Sequence, residues 1–142
     1  MGFLTARDEA AVRKEFERLT GPVKLTVFSQ SLVAADLCQQ NEQLVREVAA
    51  LDDHLSVEIL NLAIDRERAE AYGVNRVPAI VVEGAQDYGL RFFGIPSGYE
   101  FSNLIDSIVL ASTGEPTLSE ATKTALGALT ENVHIQVFST PT

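Results

Sequence analysis

Apolar positions along the chain change period in a way that marks out successive helices and strands. Val12, Phe16 and Leu19 fall at i, i+4 and i+7, the spacing of one helix face. Thr5-Ala-Arg-Asp8 before them reads as a capping box, and Gly21-Pro22 ends the run. Val23, Leu25 and Val27 then alternate with Lys24 and Thr26, which predicts a strand to Ser29. A polar-to-small loop, Gln30–Ala34, leads to a long helix with Leu37, Leu44, Val48 and Leu51 on one face. Leu55, Val57 and Ile59 alternate with Ser56 and Glu58 as a second strand. Asp65 is expected to cap a short helix through Tyr72, with Gly73 as its left-handed stop. Ala79–Val82, after Arg76-Val77-Pro78, is a short β-branched strand, joined by Gly84–Gly89 to a partner at Leu90–Phe93. Ser97-Gly-Tyr-Glu100 reads as a further capping box, opening a helix with Phe101, Leu104, Ile105 and Ile108 on one stripe. Gly114-Glu-Pro116 ends that helix. Thr117-Leu-Ser-Glu120 is expected to cap another with Leu118, Ala125 and Leu129 inward, and Val133–Ser139 to form a last strand.

The predicted order is α, then β-α-β-α-β-β-α, then α-β. The middle string is the order of a thioredoxin-like α/β fold: a mixed four-stranded sheet with helices on both faces. The outer pieces are an extra N-terminal helix and a C-terminal helix-strand extension. That extension repeats the start of the chain. PVKLTVFS at 22–29 recurs as NVHIQVFS at 132–139, with Val23/Val133, Val27/Val137, Phe28/Phe138 and Ser29/Ser139 identical. Leu19-Thr20 recurs as Leu129-Thr130 at the same offset. A self-match at fixed offset is an architectural signal. The expected division is a thioredoxin-like unit over 1–114, followed by 115–142 as the opening helix and strand of a second, truncated unit.

Composition narrows the function. The 142 residues are 46% apolar, ample for a core, and carry 20 acidic against 11 basic side chains, a formal charge of −9. No clustered Lys and Arg offers a footprint for nucleic acid or anionic lipid, so neither is an expected partner. No apolar run has transmembrane length, and MGFLTARDEAAVRKEF lacks the basic and apolar regions of a secretory signal. Ala6 stands where myristoylation after Met-Gly wants Ser or Thr. The single cysteine, Cys38, excludes an intrachain disulfide and fits a reducing cytoplasm. His54 and His134 lie at unrelated spacing, so no metal or other cofactor is expected. Gly89, Gly94, Pro96 and Gly98 do not follow the spacing of a phosphate-binding loop and read as turn punctuation.

The segment DYGLRFFGIPSGYEF (Asp87–Phe101), with Tyr72-Gly73, Val77-Pro78-Ala79 and the first helix and strand, resembles the two-unit protein disulfide oxidoreductases, or glutaredoxin-like proteins. A related double module forms the N-terminal domain of the alkyl hydroperoxide reductase flavoprotein. The resemblance covers essentially the whole chain. It implies two thioredoxin-like units in tandem, the second opening with a strand, Thr-Pro-Thr and then Cys-x-x-Cys. Here the last residues are Thr140-Pro141-Thr142.

The same resemblance points to the start of the helix after the first strand as the dithiol site, where free N–H groups and the helix dipole stabilise a thiolate. This chain departs from the pattern there. The stretch is Ala35-Asp36-Leu37-Cys38, so the attacking position is Ala35 and only the resolving position, Cys38, keeps sulfur. The loop Ser29–Ala34 is about one residue longer than the family pattern. Asp36 further disfavours a thiolate.

Val77-Pro78 is expected to be the cis-proline site of the fold, whose free backbone edge can pair with an extended peptide or glutathione. Arg76 beside it could orient a carboxylate or simply sit in solvent. Arg91 and Glu100 are expected to be structural. Three readings follow. The first is a degenerate Ala-x-x-Cys unit that scaffolds or docks dithiol–disulfide exchange in a second unit and is itself inactive. The second is a monothiol exchanger through Cys38. The third is a non-catalytic peptide-binding module using the Pro78 groove. Expected partners are protein thiols or disulfides, or glutathione, and a homodimer through 117–139, whose strand offers unpaired backbone groups.

Overall fold

The computed structural model describes residues 2–140, so Pro141 and Thr142 of the Thr-Pro-Thr stretch lie outside the described residues. The elements are α1 (Ala6–Phe16), β1 (Val23–Ser29), α2 (Ala35–Ala49), β2 (Leu55–Asn61), α3 (Arg66–Tyr72), β3 (Ala79–Glu83), β4 (Leu90–Phe93), α4 (Tyr99–Thr113) and α5 (Glu120–Gly127). The sheet order is β2-β1-β3-β4. β1 runs parallel to β2 and antiparallel to β3, and β4 is antiparallel to β3. This is the mixed four-stranded thioredoxin-like sheet expected from the element order.

β1 lies between two neighbours and under cover on both faces, so alternate residues enter two separate cores. Val23, Leu25 and Val27 pack with Val12 and Phe16 of α1, Leu44, Val45 and Val48 of α2, Ile80 and Val82 of β3, and Leu104 and Ile108 of α4. Phe28 packs on the opposite side with Leu60, Ala69, Val74, Ala79 and Val81. The loop between α1 and β1 is clamped to α4: Ser112 Oγ accepts from the Thr20 and Gly21 N–H groups and donates to the Gly21 carbonyl. After β3, Gly84 passes so close to α4 that a Cβ there would stand 1.8 Å from the Ala111 carbonyl oxygen.

Several local expectations are corrected. The buried face of α2 is Cys38, Asn41, Leu44, Val45 and Val48, while Leu37 is exposed; the true stripe is rotated toward the thiol. The Thr5–Asp8 capping box forms in full. Asp65 is the N-cap of α3, yet its carboxylate makes no cap bond there and accepts instead from the Asn61 N–H. The N-cap of α4 is Gly98 with no side-chain cap, so Ser97–Glu100 is not a capping box. Ser119, not Thr117, caps α5, accepting from the Thr122 N–H.

The larger correction concerns the C-terminal extension. α5 buries no residue; Leu118, Ala125 and Leu129 are exposed rather than inward. Residues 133–139 form no strand. A strand exists only beside a neighbour, and among the described residues neither sheet edge, β2 nor β4, is paired to this segment.

Candidate functional site

The C-terminal end of β1 delivers the chain into the loop 30–34 and then α2. The turn is made at Ala34, whose φ of 52° puts a residue with a Cβ in the left-handed region. Ala34 is also the N-cap and supplies no side-chain cap bond, so the first turn of α2 presents backbone N–H groups without a capping side chain. Ala35 is the first residue of that turn. A thiol placed there would meet those groups directly; this chain offers a methyl.

Cys38 stands one turn further on and is buried, 2% exposed. Its N–H is already bonded to the Ala34 carbonyl, and its Sγ lies 4.0 Å from the Val33 carbonyl oxygen. Ala35 and Cys38 share the wall of a cleft of about 480 Å³, completed by Ser29, Glu42, Leu60 and Asn61 among others. Glu42 lies one turn along α2 from Cys38 and accepts a short hydrogen bond from Ser29 Oγ. Its spacing to Cys38 could have flagged it in the sequence, since i and i+4 share a helix face.

Asn41 was legible only as a polar interruption of the α2 stripe. It is fully buried, and neither its amide nitrogen nor its oxygen finds a partner among the described residues; the same holds for Thr26 Oγ1 of β1. Such orphaned groups cost stability.

The Val77–Pro78 peptide is cis. Ala79 pairs with Phe28 in the β1–β3 register, which brings Pro78 to the same end of the sheet as Ser29 and the start of α2. Pro78 is buried and its carbonyl accepts from the Gly94 N–H. Pro78 and Val77 do not line the cleft beside Cys38. Arg76 is turned to the sheet edge, its guanidinium carbon 4.6 Å from the centre of the Phe93 ring, a cation–π contact. Ala35 and Cys38 thus share one cleft wall, Val77 and Pro78 form the cis peptide at the same end of the sheet, and the Arg76 side chain contacts Phe93.

The hairpin segment Asp87–Phe93 has a structural cause. Arg91 grips the Asp87 carboxylate through both terminal nitrogens at 2.8 and 2.6 Å, donates Nε–H to the Tyr72 carbonyl, and lies over the Tyr72 ring. Asp87 also accepts from the Gly89 N–H, with Gly89 at φ 84°. The Arg91 guanidinium and that N–H hold the Asp87 carboxyl below the usual aspartate range. Tyr72 in turn donates to Glu83, which faces Lys24. Arg91 is thus a fastening between hairpin and α3.

Among the described residues, no group of three or more His, Cys, Asp and Glu side chains could hold a metal ion. No helix among them is long and apolar enough to cross a membrane.

No protein-family model matches the chain. It is 24% identical over 135 residues to the AhpF component of alkyl hydroperoxide reductase from Staphylococcus epidermidis, covering 95% of this chain and 24% of that protein. Among solved structures, it superposes on the N-terminal domain of alkylhydroperoxide reductase AhpF from Enterococcus faecalis with a TM-score of 0.81 at 22% identity, covering 89% of this chain and 61% of that one. A protein disulfide oxidoreductase from Aeropyrum pernix gives a TM-score of 0.75 at 23% identity, over 88% and 55%. The chain thus spans about a quarter of the staphylococcal reductase subunit and 61% of the enterococcal domain. It is 33% identical over 88 residues to a probable thioredoxin of Methanothermobacter marburgensis, covering 61% of this chain and 96% of that protein. With fold, element order and that near-complete overlap in agreement, the chain belongs to the thioredoxin family.

Proposed function

We propose that this chain is a thioredoxin-like unit of a thiol–disulfide exchange protein whose own dithiol position is degenerate. It serves as scaffold or docking half for exchange carried out by a second unit, which residues 115–142 open. One observation carries the reading: the residue at the exposed first turn of α2 is Ala35, and the single thiol, Cys38, is buried behind it. Exchange needs a thiolate that can reach a partner's disulfide in line, and a thiol 2% exposed does not reach one. The relatives named as thioredoxin, hydroperoxide reductase and disulfide oxidoreductase support the general class of chemistry. Partners of this class are protein thiols and disulfides, or glutathione.

The test is insulin reduction by dithiothreitol, followed by turbidity. The unaltered chain should leave the uncatalysed rate unchanged, and Ala35→Cys, which creates the Cys-x-x-Cys spacing, should form a disulfide and accelerate it. Catalysis by the unaltered chain that disappears in Cys38→Ser would overturn the scaffold reading in favour of a monothiol exchanger. A second reading, an extended-peptide groove at Pro78, draws on the register: the β1–β3 ladder starts at Ala79, leaving the Val77 backbone outside it. Titration with glutathione or an extended peptide, giving saturable NMR shifts confined to Ala35 and Val77, would favour that reading.

A further inference from the structure

The fold stacks two arginines on aromatic rings and uses them differently. Arg91 lies over Tyr72, and its N–H donors are spent on the Asp87 carboxylate and on the Tyr72 and Leu90 carbonyls. Arg76 lies over Phe93, its guanidinium carbon 4.6 Å from the ring centre. Among the described residues its side chain donates no hydrogen bond and makes no ion pair. The ring holds a planar cation in place and leaves its fork open. A fork of that geometry takes a carboxylate through two parallel bonds. Arg91 with Asp87 is that pairing already made within this protein.

The backbone beside Arg76 is open as well. The β1–β3 ladder stops at the Ala79–Phe28 pair, and among the described residues Arg76 and Val77 make no backbone hydrogen bond. Arg76 is exposed and Val77 half-buried, so this free edge meets solvent. An extended segment paired with it lays its own side chains past the Arg76 guanidinium. We propose that Arg76 is a specificity residue of the Pro78 groove, selecting extended peptide segments with an Asp or Glu next to the residue paired with Val77. This rests on the groove reading above and adds the chemistry of its partner. The rest of the surface sharpens the choice. A chain with 20 acidic against 11 basic side chains disfavours an acidic peptide at most registers, so the open fork of Arg76 fixes where the carboxylate settles.

The test uses the full chain and a pair of short peptides of Val, Thr and Ser, acetylated and amidated, with one central Glu or one central Gln. The Glu side chain is then the only carboxylate offered. NMR shifts of the Val77 amide and its neighbours report binding. At about 20 mM salt the Glu peptide should bind about fivefold more tightly than the Gln peptide, and about 0.5 M salt should erase most of that gap. Arg76→Gln should bring the two peptides level. Arg76→Lys, which keeps the charge and loses the fork, should leave a gap of about twofold or less. Equal binding of the two peptides to the unaltered chain, with shifts at Val77, overturns the role of Arg76 and leaves the groove standing. So does a gap that survives Arg76→Gln undiminished. No shift at Val77 with either peptide at millimolar concentration overturns the groove reading, and this proposal with it.

Discussion

Phe28 and Phe138 occupy the same place in two copies of one helix-strand sequence, yet the first is wholly buried and the second 89% exposed. Val27 and Val137 are likewise identical and likewise divided. Local preference cannot separate them, since the flanking patterns agree. The difference is neighbours: β1 has β2 on one side, β3 on the other and helices over both faces, while 133–139 is paired to neither sheet edge. The comparison shows that a β pattern states a capacity for burial, and that tertiary partners turn it into a strand.

The comparison breaks most visibly under paired truncation. Phe28→Ala should cost about 3–5 kcal/mol, by analogy with other buried aromatic truncations. Phe138→Ala should stay within about 0.5 kcal/mol in dilute solution; urea midpoints measure both, and equal losses would mean that the second copy is covered after all. The joint between helix and strand gives a middle-sized effect. Ser112→Ala removes the clamp on Thr20 and Gly21 and should cost about 2 kcal/mol, because it removes three hydrogen bonds, the two to Gly21 part-buried. Thermal unfolding would register it, and an unchanged midpoint would mean water replaces the hydroxyl.

The smallest effect sharpens the contrast at the helix starts. Thr5→Ala should lower global stability by about 1 kcal/mol, since α1 is part of the core. Ser119→Ala should only reduce helicity in α5, with no change in the global transition. The Thr5 side chain and N–H hold the Asp8 carboxyl below its ordinary value of 3.8. The folded state thus gains from ionised Asp8 fully above pH 3.8 and loses that gain as pH falls through the lower folded value. The gap between Thr5→Ala and the unaltered chain should therefore narrow in acid below pH 3.8. At the matching position of α5, three residues past the Ser119 cap, stands Thr122, which carries no carboxyl, so Ser119→Ala should show no such acid dependence.

Periodicity made the sheet legible: apolar residues alternate with polar ones in β1 and β2, β3 is largely β-branched, and β4 ends on two aromatic residues. It failed where two faces of a helix compete. On α2, Leu37 satisfies the apolar pattern as well as Cys38 does, and only the facing sheet decides that the sulfur goes inward. Cap assignment failed for a similar reason. Ser97 and Thr117 have the right chemistry, but backbone geometry gave the N-cap positions to Gly98 and Ser119. At the candidate site, the Ala35–Cys38 spacing was readable, whereas Glu42 meeting Ser29, and the unsatisfied Asn41, depend on contacts that no local pattern records.

The hairpin carries a practical lesson for recognising such chains. Asp87, Gly89 and Arg91, the most recognisable letters of the sequence, fasten β4 to α3, and none of them lines the cleft beside Cys38. A hairpin fastened this way forms whether or not a sulfur stands at position 35. Those letters therefore report the fold of the hairpin, and the chemistry at position 35 has to be read separately, in the first turn of α2.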